Sequence, residues 1–185
     1  MSKIGPTYEV PFKRRYKNIT DYRKRLKLLK SKEPRLVVRK SSRYITTEIV
    51  EFNPKGDKVI VYVSSKELSK YGWKFSAINI PAAYLVGLLI GKRAIKKGLK
   101  SAVLDIGLHR NVKGSRINAV LKGALDAGLN IPHSPDVLPD ESRIQGKHII
   151  EAAKNIKNKN QFSKVNPKDM IETFEKVKKN IEKGV

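Results

Sequence analysis

One stretch of this chain decides what it can be built around. Ile80 to Gly91 (IPAAYLVGLLIG) is the longest apolar run, about a dozen residues, whereas a membrane-spanning helix requires roughly 20. It therefore reads as part of a buried helix, Ala82 to Lys97, with Pro81 at the first helical position and Gly98 as the stop. The 185 residues and 39% apolar content suit one modest core rather than two. The expected fold is one α/β domain with appendages.

The rest of the sequence can be read around that helix. Residues 1–12 (MSKIGPTYEVPF) hold two prolines and a glycine without period and read as an extended, solvated arm. A helix is expected from an N-cap at Thr20 to about Ser31, with Tyr22, Leu26 and Leu29 on one stripe and Arg23, Lys27 and Lys30 roughly 100° further round. Three β-rich runs follow, Arg35 to Lys40, Arg43 to Phe52 and Lys58 to Ser64. Their short connections make an antiparallel meander, with Val59, Val61 and Val63 on one face and Ile60 and Tyr62 on the other. A short helical turn is expected at Ser65 to Tyr71, and Trp73 reads as core. Ala102 to Ile106 reads as a buried strand parallel to an earlier one, with the apolar helix as crossover. Helices are expected at Gly114 to Ala127 and from Asp140 to about Asn155, then a linker, Lys154 to Gln161 (KNIKNKNQ). A last amphipathic helix carries Met170, Phe174, Val177 and Ile181 on one stripe, to fold back on the domain or dock on a neighbour. These readings divide the chain into a basic arm and helix (1–31), an α/β core (32–133) and a helical carboxy-terminal extension (134–185).

Charge narrows the function. Forty Lys and Arg stand against seventeen Asp and Glu, a formal +23, and such a chain repels itself unless a polyanion is present. Without cysteine it has no disulfide, no Cys-based zinc site and no thiol nucleophile, which fits a reducing, cytoplasmic setting. Glu9 and scattered cations stand where a signal peptide would need an apolar core, so secretion is not expected.

Three basic stretches are candidate RNA contacts. The first is Lys13, Arg14, Arg15, Lys17, Arg23, Lys24, Arg25, Lys27 and Lys30, with Tyr16 and Tyr22 interleaved. Nine cations share eighteen residues with one acid, Asp21. Arginine can grip phosphate bidentately, and tyrosine can stack on unpaired bases. The second is a hairpin bearing Arg35, Arg39, Lys40, Arg43 and Tyr44 near its Ser41-Ser42 turn, where cations can enter a groove or merely discourage strand pairing. The third is the strand-to-helix loop Gly107 to Arg116, with His109, Arg110, Lys113 and Arg116. Its glycines and free helix-start N–H groups make either a phosphate seat or an ordinary capped turn. It is not a Walker loop, because its lysine precedes the glycine.

Enzymatic readings are weaker. His109, His133 and His148 are scattered, without metal-binding spacing. Asp105, with Glu48 or Asp126, could be imagined as a nuclease's carboxylate cluster, although an aspartate at a strand end more often bonds a neighbouring backbone. No cofactor, metal, membrane or small-molecule substrate is expected.

The strings TDYRKRLKLLKSKEPRLVVRKS, YGWKFSAINIPAAYLVGLL and AVLDIGLHRNVKGSRINAVLKGALDAGLNIPHSPDVLPDESRIQGKHI closely resemble the 5S-rRNA-binding family numbered eighteen among large-subunit ribosomal proteins, in its archaeal form. The resemblance runs from about Gly5 to Ile150. It implies a ribonuclease-H-like mixed α/β sheet without nuclease activity. It also implies a scaffold that anchors 5S rRNA in the central protuberance, beside 23S rRNA and neighbouring ribosomal proteins. In family terms Lys13, Arg14, Arg15, Arg23, Arg25, Lys27, Arg35, Arg39, Lys40 and Arg43 carry over as RNA-binding. The rivals are an RNA-processing nuclease and a general nucleic-acid-binding protein.

Overall fold

A computed structural model describes residues 5–155 and 166–184. It is built on a four-stranded mixed sheet of order β3-β2-β1-β4. Strands β1 (Arg35–Lys40), β2 (Ile45–Glu51) and β3 (Lys58–Ser64) form the antiparallel meander, and β4 (Val103–Asp105) pairs parallel to β1. An isolated parallel bridge, Ser101 to Asn130, extends the sheet beyond β4. This is the mixed α/β architecture expected from the sequence.

The sheet faces differ. Leu36, Val38, Ile45, Thr47, Ile49, Val61 and Val63 are buried on one side, where helix α3 (Ile80–Lys96) lies over β2 and β3, and α4 (Arg116–Asp126) reaches β1. Arg35, Val37, Arg39, Glu48 and Asp105 point to the other face, as period-two alternation and the register require. The expected grouping of Val59 with Val61 and Val63 fails at a β-bulge. Ile49 pairs with Val61 but Val50 with Val59, so Ile60 is the extra residue and Val59 turns to the opposite face, 48% exposed.

Helix α3 is the centre of the core, capped by the Asn79 side chain on the Ala82 N–H with Pro81 in the first turn. It crosses α4 at backbone contact. A Cβ on Gly87 would stand 2.0 Å from the Val120 carbonyl oxygen, and one on Gly123 2.1 Å from that of Tyr84. Helix α4 starts two residues later than expected, since Gly114 has φ 64° and Ser115 is the cap. The expected helix from Asp140 breaks at Gly146 (φ 82°) into α5 (Glu141–Ile144) and α6 (Lys147–Asn155). Ser65–Tyr71 is a 3-10 helix with a Ser64/Glu67 capping box, and Trp73 is buried with its indole N–H donating to the Ser76 carbonyl at 3.1 Å.

The last helix, α7 (Met170–Gly184), folds back on the domain. Met170, Phe174, Val177 and Ile181 are all buried, and Phe174 meets the Tyr84 ring at 5.7 Å. Beyond Asn155 the expected linker lies outside the described residues.

At the amino terminus the arm is not purely extended. Lys13–Tyr16 form one helical turn, α1, followed by a reversal at Asn18 (φ 52°), and Phe12 packs on Tyr22 at 5.3 Å. Helix α2 (Tyr22–Leu29) is capped by Asp21 rather than Thr20. The Asp21 carboxylate accepts from the Arg23 and Lys24 N–H groups at 3.0 and 3.1 Å, while the Thr20 hydroxyl is taken by Arg14 at 2.9 Å. The expected stripe is rotated. Leu26 is 60% exposed, whereas Arg25 and Leu28 are half-buried, because Arg25 faces the sheet.

The free edge of β3 is covered from α3. Lys97 donates to the Ile60 carbonyl and Arg93 to that of Tyr62 at 3.2 Å. A salt bridge to Glu67 at 2.8 Å holds Arg93 in place.

Candidate nucleic-acid interface

The sheet face away from α3 borders a cleft of about 810 Å³. The arm and α2 supply Arg14, Lys24, Arg25 and Lys27 to it. Strand β1 supplies Arg35 and Arg39, and the loop after β4 supplies Gly107 and His109. Segments from all three basic stretches thus meet in one place.

Its floor is a chain of alternating charges. Asp57, in the β2–β3 turn, accepts from Arg25 Nη2 at 2.8 Å through both carboxylate oxygens and from Arg35 at 2.6 Å. Arg35 reaches Asp105 at 2.7 Å, and Asp105 also accepts from Arg39 at 3.1 Å and from the Gly107 N–H at 2.8 Å. Burial alone would raise the Asp105 carboxyl, but Arg39, the Gly107 N–H and Arg35 together hold it below its ordinary value.

This network gives several of the expected site residues partners inside the protein. Arg35 is only 3% exposed and is paired with both Asp57 and Asp105, so it serves as an internal counter-charge. Arg25 is engaged by Asp57, and Arg39 is half-buried, its guanidinium also donating to the Val38 and Asp105 carbonyls at 2.9 and 2.8 Å. The phosphate seat at Gly107 to Arg116 is not formed by its glycines. The Gly107 N–H serves Asp105 and the Gly114 N–H serves Val137 at 3.0 Å. Gly107 (φ 59°) does permit close approach, but of Arg39, whose Cζ would lie 2.9 Å from a Cβ there. Gly107→Ala should therefore cost about 2 kcal/mol in urea unfolding, from left-handed strain and a displaced Arg39.

The outward cations are Lys13, Arg14, Arg15 and Lys17 on and beside α1, and Arg23, Lys24, Lys27 and Lys30 on and beside α2. Lys40 and Arg43 at the hairpin and Arg110 and Lys113 in the loop are exposed too. Tyr16 is 76% exposed and Tyr44 39%, whereas Tyr22 is half-buried against Phe12. Arg116 is half-buried and donates to the Ile78 carbonyl at 3.2 Å. Burial, with Lys40 and Arg39 nearby, lowers the His109 pKa, so His109 is neutral near pH 7.

The carboxylates do not converge as a nuclease would need. Asp126 sits on α4, across the sheet from the cleft, bonded to the Tyr84 hydroxyl and to Lys122, both at 2.9 Å. Glu48 and Asp105 both lie opposite Val37, one strand away on either side, so about 10 Å separates their backbones. Among the described residues no group of His, Cys, Asp and Glu could hold a metal ion, and no helix is long and apolar enough to cross a membrane.

A model of the family described as ribosomal large subunit proteins 60S L5 and 50S L18 matches residues 6–101 and 96–134. The large ribosomal subunit protein uL18 of Korarchaeum cryptofilum (strain OPF8) is 49% identical over 190 residues, covering 98% of this chain and 97% of the relative. The chain belongs to the L5e/L18 family of ribosomal large-subunit proteins. Membership makes it a structural component of the large ribosomal subunit rather than an enzyme, with ribosomal RNA and ribosomal proteins as its partners. In an L18-type protein the missed member of the site is Asp57. A lone aspartate in the turn Asn53-Pro54-Lys55-Gly56-Asp57 is an ordinary turn residue, and only the fold brings it to Arg25 and Arg35.

Proposed function

We propose that this protein binds 5S rRNA and anchors it in the central protuberance of the large subunit, also contacting 23S rRNA. The observation that supports this most is the segregation of the molecule. One sheet face is sealed by α3 and α4, while the other is bordered by α2, the arm and the loop after β4, with cations directed outward. Lys13, Arg14, Arg15, Lys17, Arg23, Lys24, Lys27, Lys30, Lys40, Arg43, Arg110 and Lys113 neutralise phosphates, and Tyr16 and Tyr44 are placed for stacking on unpaired bases. The buried arginines fix the geometry from which those cations act.

Binding of labelled 5S rRNA measured against salt tests the reading. Each phosphate contact contributes roughly −0.7 to −0.9 to the slope of log K on log salt, so six contacts give a slope of about −4 or steeper. A flat dependence refutes the proposal. Loss of binding under excess duplex DNA would make the chain a general polyanion binder instead.

A further inference from the structure

Helix α2 is thinly attached. It has eight residues and none is buried, and an isolated helix shorter than about 12–15 residues is marginal in water. Among the described residues, its only side-chain hydrogen bonds to another element are those from Arg25 to Asp57. Asp57 is itself anchored to the sheet by buried Arg35, and through it to Asp105.

We propose that Asp57 is a positioning residue for RNA binding. Its carboxylate latches the cationic helix α2 to the sheet through Arg25, holding Lys24 and Lys27 over the cleft that Arg39 and His109 line from the other side. This rests on the RNA-binding reading above and adds to it an acidic residue that strengthens binding to a polyanion. The latch removes the ordering cost of α2 before RNA arrives, because a competent form already populated needs no binding energy to select it.

The sign of the effect separates latch from charge. Asp57→Asn deletes a negative charge beside the interface, so Coulomb interactions alone would tighten 5S rRNA binding. With the latch, Kd for 5S rRNA rises about tenfold as the docked fraction of α2 falls to about a tenth. The α2 amides then exchange hydrogen faster, while those of β1 and β2 stay protected. Equal or tighter binding by the variant, or unchanged α2 exchange, overturns the proposal.

Arg25→Gln opens the same latch and leaves the Asp57–Arg35 pair intact, so it decides the matter where Asp57→Asn does not fold. It must speed α2 exchange and weaken binding more than Arg23→Gln on the same helix. A smaller loss, or unaltered exchange, sinks the latch. Failure of the unaltered full-length chain to bind 5S rRNA refutes the underlying reading. The exchange measurement needs no RNA, so the two failures are distinguishable.

Discussion

Asp105→Ala should destabilise the protein by about 3–5 kcal/mol, enough to remove much of the stability of a domain this size. Asp105 is 6% exposed and answers two arginines and one backbone N–H. Removing it leaves Arg35, 3% exposed, with Asp57 as its remaining ion-pair partner, and leaves the Gly107 N–H without an acceptor. The pH dependence follows from the lowered carboxyl pKa. In the unfolded chain Asp105 titrates near the ordinary value of about 3.9. Its stabilising contribution is therefore complete above that value and disappears as pH falls through the lower folded one. Urea midpoints taken between pH 7 and 2 should show the unaltered chain losing stability on the acid side. Asp105→Asn should start lower and lose less. An Asp105→Ala variant as stable as the parent would mean that the ion network contributes nothing.

Gly123→Ala should cost about 3 kcal/mol or more, although helix propensity favours it by roughly 1 kcal/mol. A methyl group there would stand 2.1 Å from the Tyr84 carbonyl oxygen and 2.7 Å from the Leu88 nitrogen. Both are backbone atoms, so no rotamer change can yield and α3 and α4 must part. That separation opens the layer holding Leu85, Leu88, Val120 and Leu121, all of them buried. Thermal unfolding of Gly123→Ala beside Lys96→Ala, at an exposed site on α3, checks it. The lysine variant should stay within about 0.5 kcal/mol of the parent. Equal melting temperatures for the two would remove the close crossing as a source of stability.

The meander, the parallel crossover strand and the last helix were legible because each writes a periodic pattern over six or more residues or borders a glycine stop. Some readings failed on local backbone, at the left-handed Gly114 and Gly146, and others where a tertiary contact overrode a local pattern. The bulge at Ile60 moved Val59 across the sheet, and the Arg25–Asp57 pair turned α2 so that Leu26 faces solvent. The candidate site was readable as a set of stretches but not as individual roles. Arg35 and Arg23 are the same residue type in equally basic surroundings. Only β1 pairing with β4, seventy residues apart for Arg35 and Asp105, turns the first inward. Composition reports that positive charge is in excess, and topology decides which charges neutralise aspartate inside the fold.

The covered rim of β3 bears on the life of the polypeptide before it is incorporated into a particle. Lys58 to Ser64 (KVIVYVS) is a β-branched heptad of the kind that recruits identical strands into fibrils. Lys97 and Arg93 engage the Ile60 and Tyr62 carbonyls, so an incoming copy meets two acceptors already in use and two positive charges beside them. The rim of this strand is thereby a poorer template for pairing with a second copy than its sequence alone would make it.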